Sequence, residues 1–90
     1  MTVRASLPII NEKGLHARAS GKFVAVVEQY DADAQVSHNG MTVSGDSLMG
    51  LLTLAAGRGS AIELEVTGPD AARLAEALDR LVADKFGESA

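Results

Sequence analysis

Residues 34–44 read AQVSHNGMTVS, two short runs, Ala34 to Ser37 and Met41 to Ser44, joined by His38-Asn39-Gly40. An Asn-Gly pair supplies the positive φ values of a tight hairpin turn, so the two runs are expected to pair antiparallel. Toward the N-terminus, Val3, Ala5, Leu7 and Ile9 alternate with Thr2, Arg4, Ser6 and Pro8, the period of a strand with one buried face. Pro8 cannot donate a ladder hydrogen bond, which puts that strand at a sheet edge or ends it there. Toward the C-terminus, Ile62, Leu64 and Val66 face one way and Glu63 and Glu65 the other, so a further strand is expected over Ala61 to Val66.

Helices fill the intervals. From Ala17 to about Gln29, Phe23, Val24 and Val27 share one helical face with Ser20, while Ala17, Gly21, Ala25 and Glu28 form an unusually small opposite stripe. Gly21 costs a helix interior about 1 kcal/mol relative to Ala, and a stripe this small lets a partner come close. Asp46-Ser47 precedes Leu48-Met49-Gly50-Leu51-Leu52, a short helix with Ser47 or Asp46 as N-cap and Gly57-Arg58-Gly59 as its stop. Gly68-Pro69-Asp70 opens a last helix, with Pro69 expected in its first turn, a stripe of Leu74, Leu78, Leu81 and Val82, and Gly87 as its stop. Glu76 and Arg80 form an i, i+4 pair on its wet side. The order βαββαβα without long crossovers predicts an α+β open-faced β-sandwich, an antiparallel four-stranded sheet with three helices on one face.

Ninety residues without repeats, linkers or low-complexity tracts make one domain, 1–90. Two Phe, one Tyr and no Trp leave an aliphatic core. Eight Lys and Arg against twelve Asp and Glu give a formal charge of −4, which argues against a nucleic-acid footprint, since that needs a clustered basic face. The absence of cysteine excludes disulfides, thiolate metal sites and cysteine nucleophiles. The longest apolar run, Leu48 to Ala56, is about half the ~20 residues of a membrane span, and no secretory signal opens the chain. A reduced, cytoplasmic location, no membrane insertion and a monomer are the expectations.

Chemistry concentrates at Gly14-Leu15-His16-Ala17-Arg18. His16 stands where a glycine turn meets a helix start, as N-cap or first helical residue. The free N–H groups of a first helical turn form an anion site, and Arg18 adds a planar fork suited to phosphate oxygens. A nucleophilic ring, N–H donors and an arginine are what a transient phosphohistidine needs. Taken singly, His16 also reads as an ordinary cap and Arg18 as a solvated residue. Neither histidine has a partner that suggests a charge relay, His38 reads as a turn residue, and no carboxylate cluster accompanies either to hold a metal. Ser47 reads as a cap, yet Leu48, Met49, Leu51, Leu52 and Leu54 spread around the helix it begins. One face of that helix can reach the core while another stays exposed as a docking surface, beside which a phosphate on Ser47 would place about −2 charge. Gly57-Arg58-Gly59-Ser60 lacks the spacing and lysine of a P-loop and reads as a turn.

The two stretches GLHAR at 14–18 and DSLMG at 46–50, with Asn39-Gly40 between them, resemble the HPr phosphocarrier proteins of the bacterial phosphoenolpyruvate-dependent phosphotransferase system over the whole chain. The resemblance implies a sheet of strand order 1-4-2-3. It also implies phosphorylation of His16 on Nδ1 by Enzyme I, transfer to a histidine of an EIIA-type protein, stabilisation of the phosphoryl group by Arg18, and no cofactor. Ala17, Gly21, Ala25, Leu48, Met49 and Leu52 match the family's docking surface, and Ser47 aligns with the serine that an HPr kinase/phosphorylase modifies. The common motif continues Pro-Ala where this chain has Ala19-Ser20, which is more similar to proteobacterial members of regulatory or nitrogen-related relays, and Asp46 replaces a frequent lysine. The alternative is a regulatory binding module whose partner choice is set by Ser47 phosphorylation.

Overall fold

The computed structural model describes residues 1–90. Strand β1 (Thr2–Pro8) is followed by helix α1 (Ala17–Val27), strands β2 (Asp33–His38) and β3 (Met41–Ser44), helix α2 (Leu48–Leu54), strand β4 (Ala61–Thr67) and helix α3 (Ala71–Ala83). A 3-10 turn, Lys85–Gly87, ends the ordered elements. All pairings are antiparallel and the spatial order is β1-β4-β2-β3. The hairpin closes through Asn39 (φ 51°) and Gly40 (φ 79°), as the Asn-Gly pair requires. Pro8 lies on an edge strand, where its missing N–H disturbs no ladder.

Register separates the two faces of the sheet. Leu7 pairs with Ile62, Ala5 with Leu64 and Val3 with Val66, while Ala34 and Val36 meet Val66 and Leu64 from the other side. The helices cover this face, with α3 on β1 and β4, α2 on β2 and β3, and α1 packed against α2 and α3. The other face is polar and open. There Arg4 donates to Glu65 at 2.8 Å, Ser6 to Glu63 at 3.0 Å, and the Ser37 and Thr42 hydroxyls meet at 2.7 Å. One buried cluster joins Phe23 of α1, Leu51 of α2 and Leu74, Leu78 and Val82 of α3 to the sheet's inner face. Such burial is worth roughly 1.5–3 kcal/mol for each large side chain removed from water. No helix is long and apolar enough to cross a membrane.

Three boundaries differ from expectation. Helix α2 stops at Ala55, which takes a left-handed φ of 51° and donates to Leu52 O, two residues before Gly57. Pro69 precedes the helix rather than entering its first turn, because Asp70 is the N-cap of α3. At the other end α3 stops at Ala83, and the 3-10 turn swings Phe86 into the core, fully buried with φ 56°. Gly87 therefore ends this turn and releases the last residues toward the start of α1.

Candidate functional site

His16 is set in place by the residue before it. Leu15 is buried; its N–H donates to Ala56 O at 2.9 Å, and its carbonyl accepts from the buried Ser20 hydroxyl at 3.2 Å. Gly14 permits this approach. Its φ is +66°, and a Cβ there would lie 2.6 Å from Ala56 O, closer than atoms can approach. His16 is the N-cap of α1, in extended conformation (φ −78°, ψ −177°). Its Nδ1 accepts the Arg18 N–H at 3.3 Å, while the N–H groups of Ala17 and Ala19 make no backbone hydrogen bond. Two donors are thus left at the positive end of the helix, the arrangement that receives anions.

The opposite ring nitrogen, Nε2, meets the Glu88 carboxylate. With Nδ1 accepting and a carboxylate at Nε2, the neutral ring carries its proton on Nε2 and its free lone pair on Nδ1. Glu88 comes from the tail beyond the 3-10 turn. That tail is tied down by Lys22, whose ammonium donates to Phe86 O, and by the Glu12 N–H, which donates to Ala90 O at 3.2 Å. Asn11, fully buried, donates from Nδ2 to Gly14 O at 2.8 Å and to Glu88 Oε1 at 3.0 Å. Because both partners are acceptors, the amide can be oriented only this way, and its own oxygen is left without a partner.

The Asn11 hydrogen bond first, and that of His16 second, hold the Glu88 carboxyl below the usual carboxylate value, with the charges of His16 and Lys13 assisting. Desolvation of the Glu88 side chain opposes these hydrogen bonds and is the weaker effect. His16, Glu88, Lys13, Arg18, Lys22 and Gly87 line an open depression of about 560 Å³. Arg18 is exposed on its rim and takes part in no ion pair, which leaves its guanidinium available to an anion.

The other expected residues lie outside this depression, apart from Ala17, which lines it. Ala17, Gly21 and Ala25 are exposed along α1. On the adjacent α2, Leu48 and Met49 are 43% and 70% exposed and Leu52 is half-buried, whereas Leu51 and Leu54 enter the core. Ser47 caps α2 by accepting the Gly50 N–H at 3.0 Å, and Asp46 accepts instead from the Ser44 hydroxyl at 2.6 Å. Ser60 folds back onto Gly57 O at 2.6 Å within its own turn, whereas His38, the last residue of β2, reaches across to Ala61 O at the start of β4 at 3.1 Å. The expectation that His16 lacks a carboxylate partner is corrected by Glu88, 72 residues away in sequence. No periodicity or motif marks Glu88, because its position depends on how the turn after α3 folds back.

Comparison with known proteins bears on this arrangement. A family model described as "PTS-HPr: PTS HPr component phosphorylation site" matches residues 3–84. A phosphocarrier protein HPr of Neisseria meningitidis serogroup A is 45% identical over 86 residues, covering 96% of this chain and 97% of that protein. One from Cupriavidus necator is 45% identical over 80 residues, covering 89% of this chain and 90% of its own. Among solved structures, HPr-C-His from Thermoanaerobacter tengcongensis superposes with a TM-score of 0.93 at 30% identity, covering 98% of this chain and 99% of its own.

Proposed function

The chain belongs to the HPr family of phosphotransferase-system phosphocarriers, and from that premise we propose that His16 is the residue that carries the phosphoryl group. The observation that supports this most is the state of the ring: Nδ1 holds the lone pair at the N-terminus of α1, within an open depression ringed by Lys13, Arg18 and Lys22. Nδ1 attacks the phosphorus presented by phospho-Enzyme I, the donor's bond to phosphorus breaks, and the group is held as a phosphoramidate. Formation of that bond releases the Arg18 N–H from Nδ1. It then joins the Ala17 and Ala19 N–H groups and the Arg18 guanidinium as donors to phosphoryl oxygens. None of these donors forms a covalent bond, so the group leaves again for a histidine of an EIIA-type protein.

In this reading Ala17, Gly21, Ala25, Leu48, Met49 and Leu52 are where the partners dock. The exposure of Leu48 and Met49 supports it, since large apolar side chains left on a small acidic surface favour association. Ser47 is the regulatory site for an ATP-dependent HPr kinase/phosphorylase. Phosphate there would turn the cap hydroxyl into an ester oxygen and place about −2 charge directly beside Leu48. Residues 1–90 act as one monomeric domain in the cytoplasm, with no cofactor, in a branch that Ala19-Ser20 suggests is regulatory or nitrogen-related. Single-turnover transfer tests the relay. Isolated phospho-protein mixed with an EIIA-type acceptor is expected to lose its phosphate as the acceptor gains it, and phosphate released only to water would contradict the reading.

A further inference from the structure

We infer that Ser20 is a positioning residue for phosphoryl transfer: its hydroxyl and its N–H hold the two peptide planes on either side of the His16 Cα, and so set where Nδ1 points. The inference rests on the proposed role of His16 and adds a residue outside the GLHAR stretch. Two hydrogen bonds carry it. The Ser20 hydroxyl donates to Leu15 O at 3.2 Å, and the Ser20 N–H donates to His16 O at 2.8 Å. A peptide unit is planar, so the first bond fixes the plane that leads into the His16 Cα and the second fixes the plane that leaves it. The Leu15 N–H, donating to Ala56 O at 2.9 Å, fixes the plane before those. With three successive planes held, the φ of −78° and ψ of −177° at His16 are set from outside the residue. The ring keeps only its own side-chain rotations, and the Arg18 N–H restrains these by donating to Nδ1 at 3.3 Å.

Any residue at position 20 would make the N–H bond, which is an ordinary i to i−4 bond of α1. The hydroxyl is what serine adds. Ser20 is fully buried on the helix face that carries Phe23 and Val27 into the core. Alanine would fill that place at less cost, being a better helix former with no hydroxyl to withdraw from water. Inside a helix a serine hydroxyl turns back to the carbonyl four residues earlier. Here it reaches one residue further, to Leu15 O, which accepts no backbone N–H. Its partner is thus the carbonyl whose orientation decides the entry into His16. The Leu15 side chain is anchored in the core, so release of its carbonyl would turn the peptide plane and carry the His16 Cα with it. Placement matters to transfer because the nucleophile has to meet phosphorus in line, and a displacement of about 1 Å can cost roughly 100-fold in rate.

Ser20→Ala and Ser20→Cys test the assignment against wild type, each measured well below its melting point so that the protein is fully folded. Amide NMR at about pH 8.5, above the ordinary titration range of an imidazole, reads the Arg18 N–H, whose resonance reports its bond to His16 Nδ1. Steady-state transfer from phospho-Enzyme I separates kcat from KM. In Ser20→Ala the Arg18 resonance is expected to move upfield as that bond weakens, and kcat to fall by roughly three- to tenfold, the worth of one hydrogen bond. KM for this protein should be unchanged, because Ser20 is buried and offers nothing to a docked partner. Ser20→Cys, of similar volume but with only a weak donor, should change both readouts in the same direction by less. An unmoved Arg18 resonance in both variants overturns the inference, whether or not transfer slows, and so does a moved resonance with unchanged kcat. A wild-type protein that accepts no phosphate defeats the phosphocarrier reading separately, and the Arg18 resonance then still decides whether Ser20 holds His16 in place.

Discussion

Two residues of the GLHAR stretch have separable tasks. Gly14 is required by its backbone, which combines a positive φ with a Cβ position already filled by Ala56 and Gly57 main-chain atoms. Gly14→Ala is expected to destabilise the protein by at least about 1 kcal/mol. In a domain of this size that lowers Tm by roughly 4–8 °C for each kcal/mol. A melting curve checks it, and an unaltered Tm would mean that the loop can move aside. Arg18 is exposed and unpaired, so Arg18→Ala should leave Tm within about 2–4 °C, a surface change of under ~0.5 kcal/mol. Phosphoryl transfer should nevertheless fall by roughly 10–100-fold, as expected for losing a charge-assisted donor. Equal losses of stability and transfer would argue that Arg18 holds the fold instead. Both residues were legible in sequence because a glycine turn, a helix start and a cation are adjacent there. Asn11 read only as a turn residue, since nothing local reveals that its amide spans two acceptors, one of them in the tail.

At the scale of elements, α2 is the one that divides its faces between core and solvent. Its cap is a single hydrogen bond from Gly50 N–H to the Ser47 hydroxyl, and seven residues give the helix little stability of its own. Ser47→Ala should therefore cost about 0.5–2 kcal/mol, measurable by denaturant titration. Met49→Glu, at the most exposed apolar position of α2, should leave stability nearly unchanged while weakening association with Enzyme I. Retained affinity would move the docking surface elsewhere. The alternating strands, the Asn39-Gly40 hairpin and the cap of α2 could all be read from sequence, because each depends on near neighbours. The ends of α2 and α3 could not. Glycine is the usual helix stop, yet Ala55 takes the left-handed conformation itself. Beyond α3, burial of Phe86 bends the chain into a turn before Gly87 is reached.

For the whole molecule, the long-range tie that matters most joins the two ends of the chain, Asn11 and His16 to Glu88. Because Glu88 titrates lower in the folded protein than its ordinary value of 4.5, its charged form stabilises the fold above that pH. The contribution is lost as pH falls through the lowered value. Wild type should therefore melt above Glu88→Gln at pH 6, and the two curves should converge below pH 4.5. A gap that stays constant down to pH 3 would contradict the pairing. The sheet, its covered face and the place of His16 at the start of α1 were legible in sequence. The closing of the tail against that residue was not, since it depends on tertiary packing around Phe86 and Lys22. The most direct test of the central claim is intact mass after incubation with phosphoenolpyruvate and purified Enzyme I, comparing wild type with His16→Ala. Wild type is expected to gain one phosphoryl group, about 80 Da, that mild acid removes, and His16→Ala to gain none. The same gain in His16→Ala, or an acid-stable gain in wild type, would show that His16 is not the carrier.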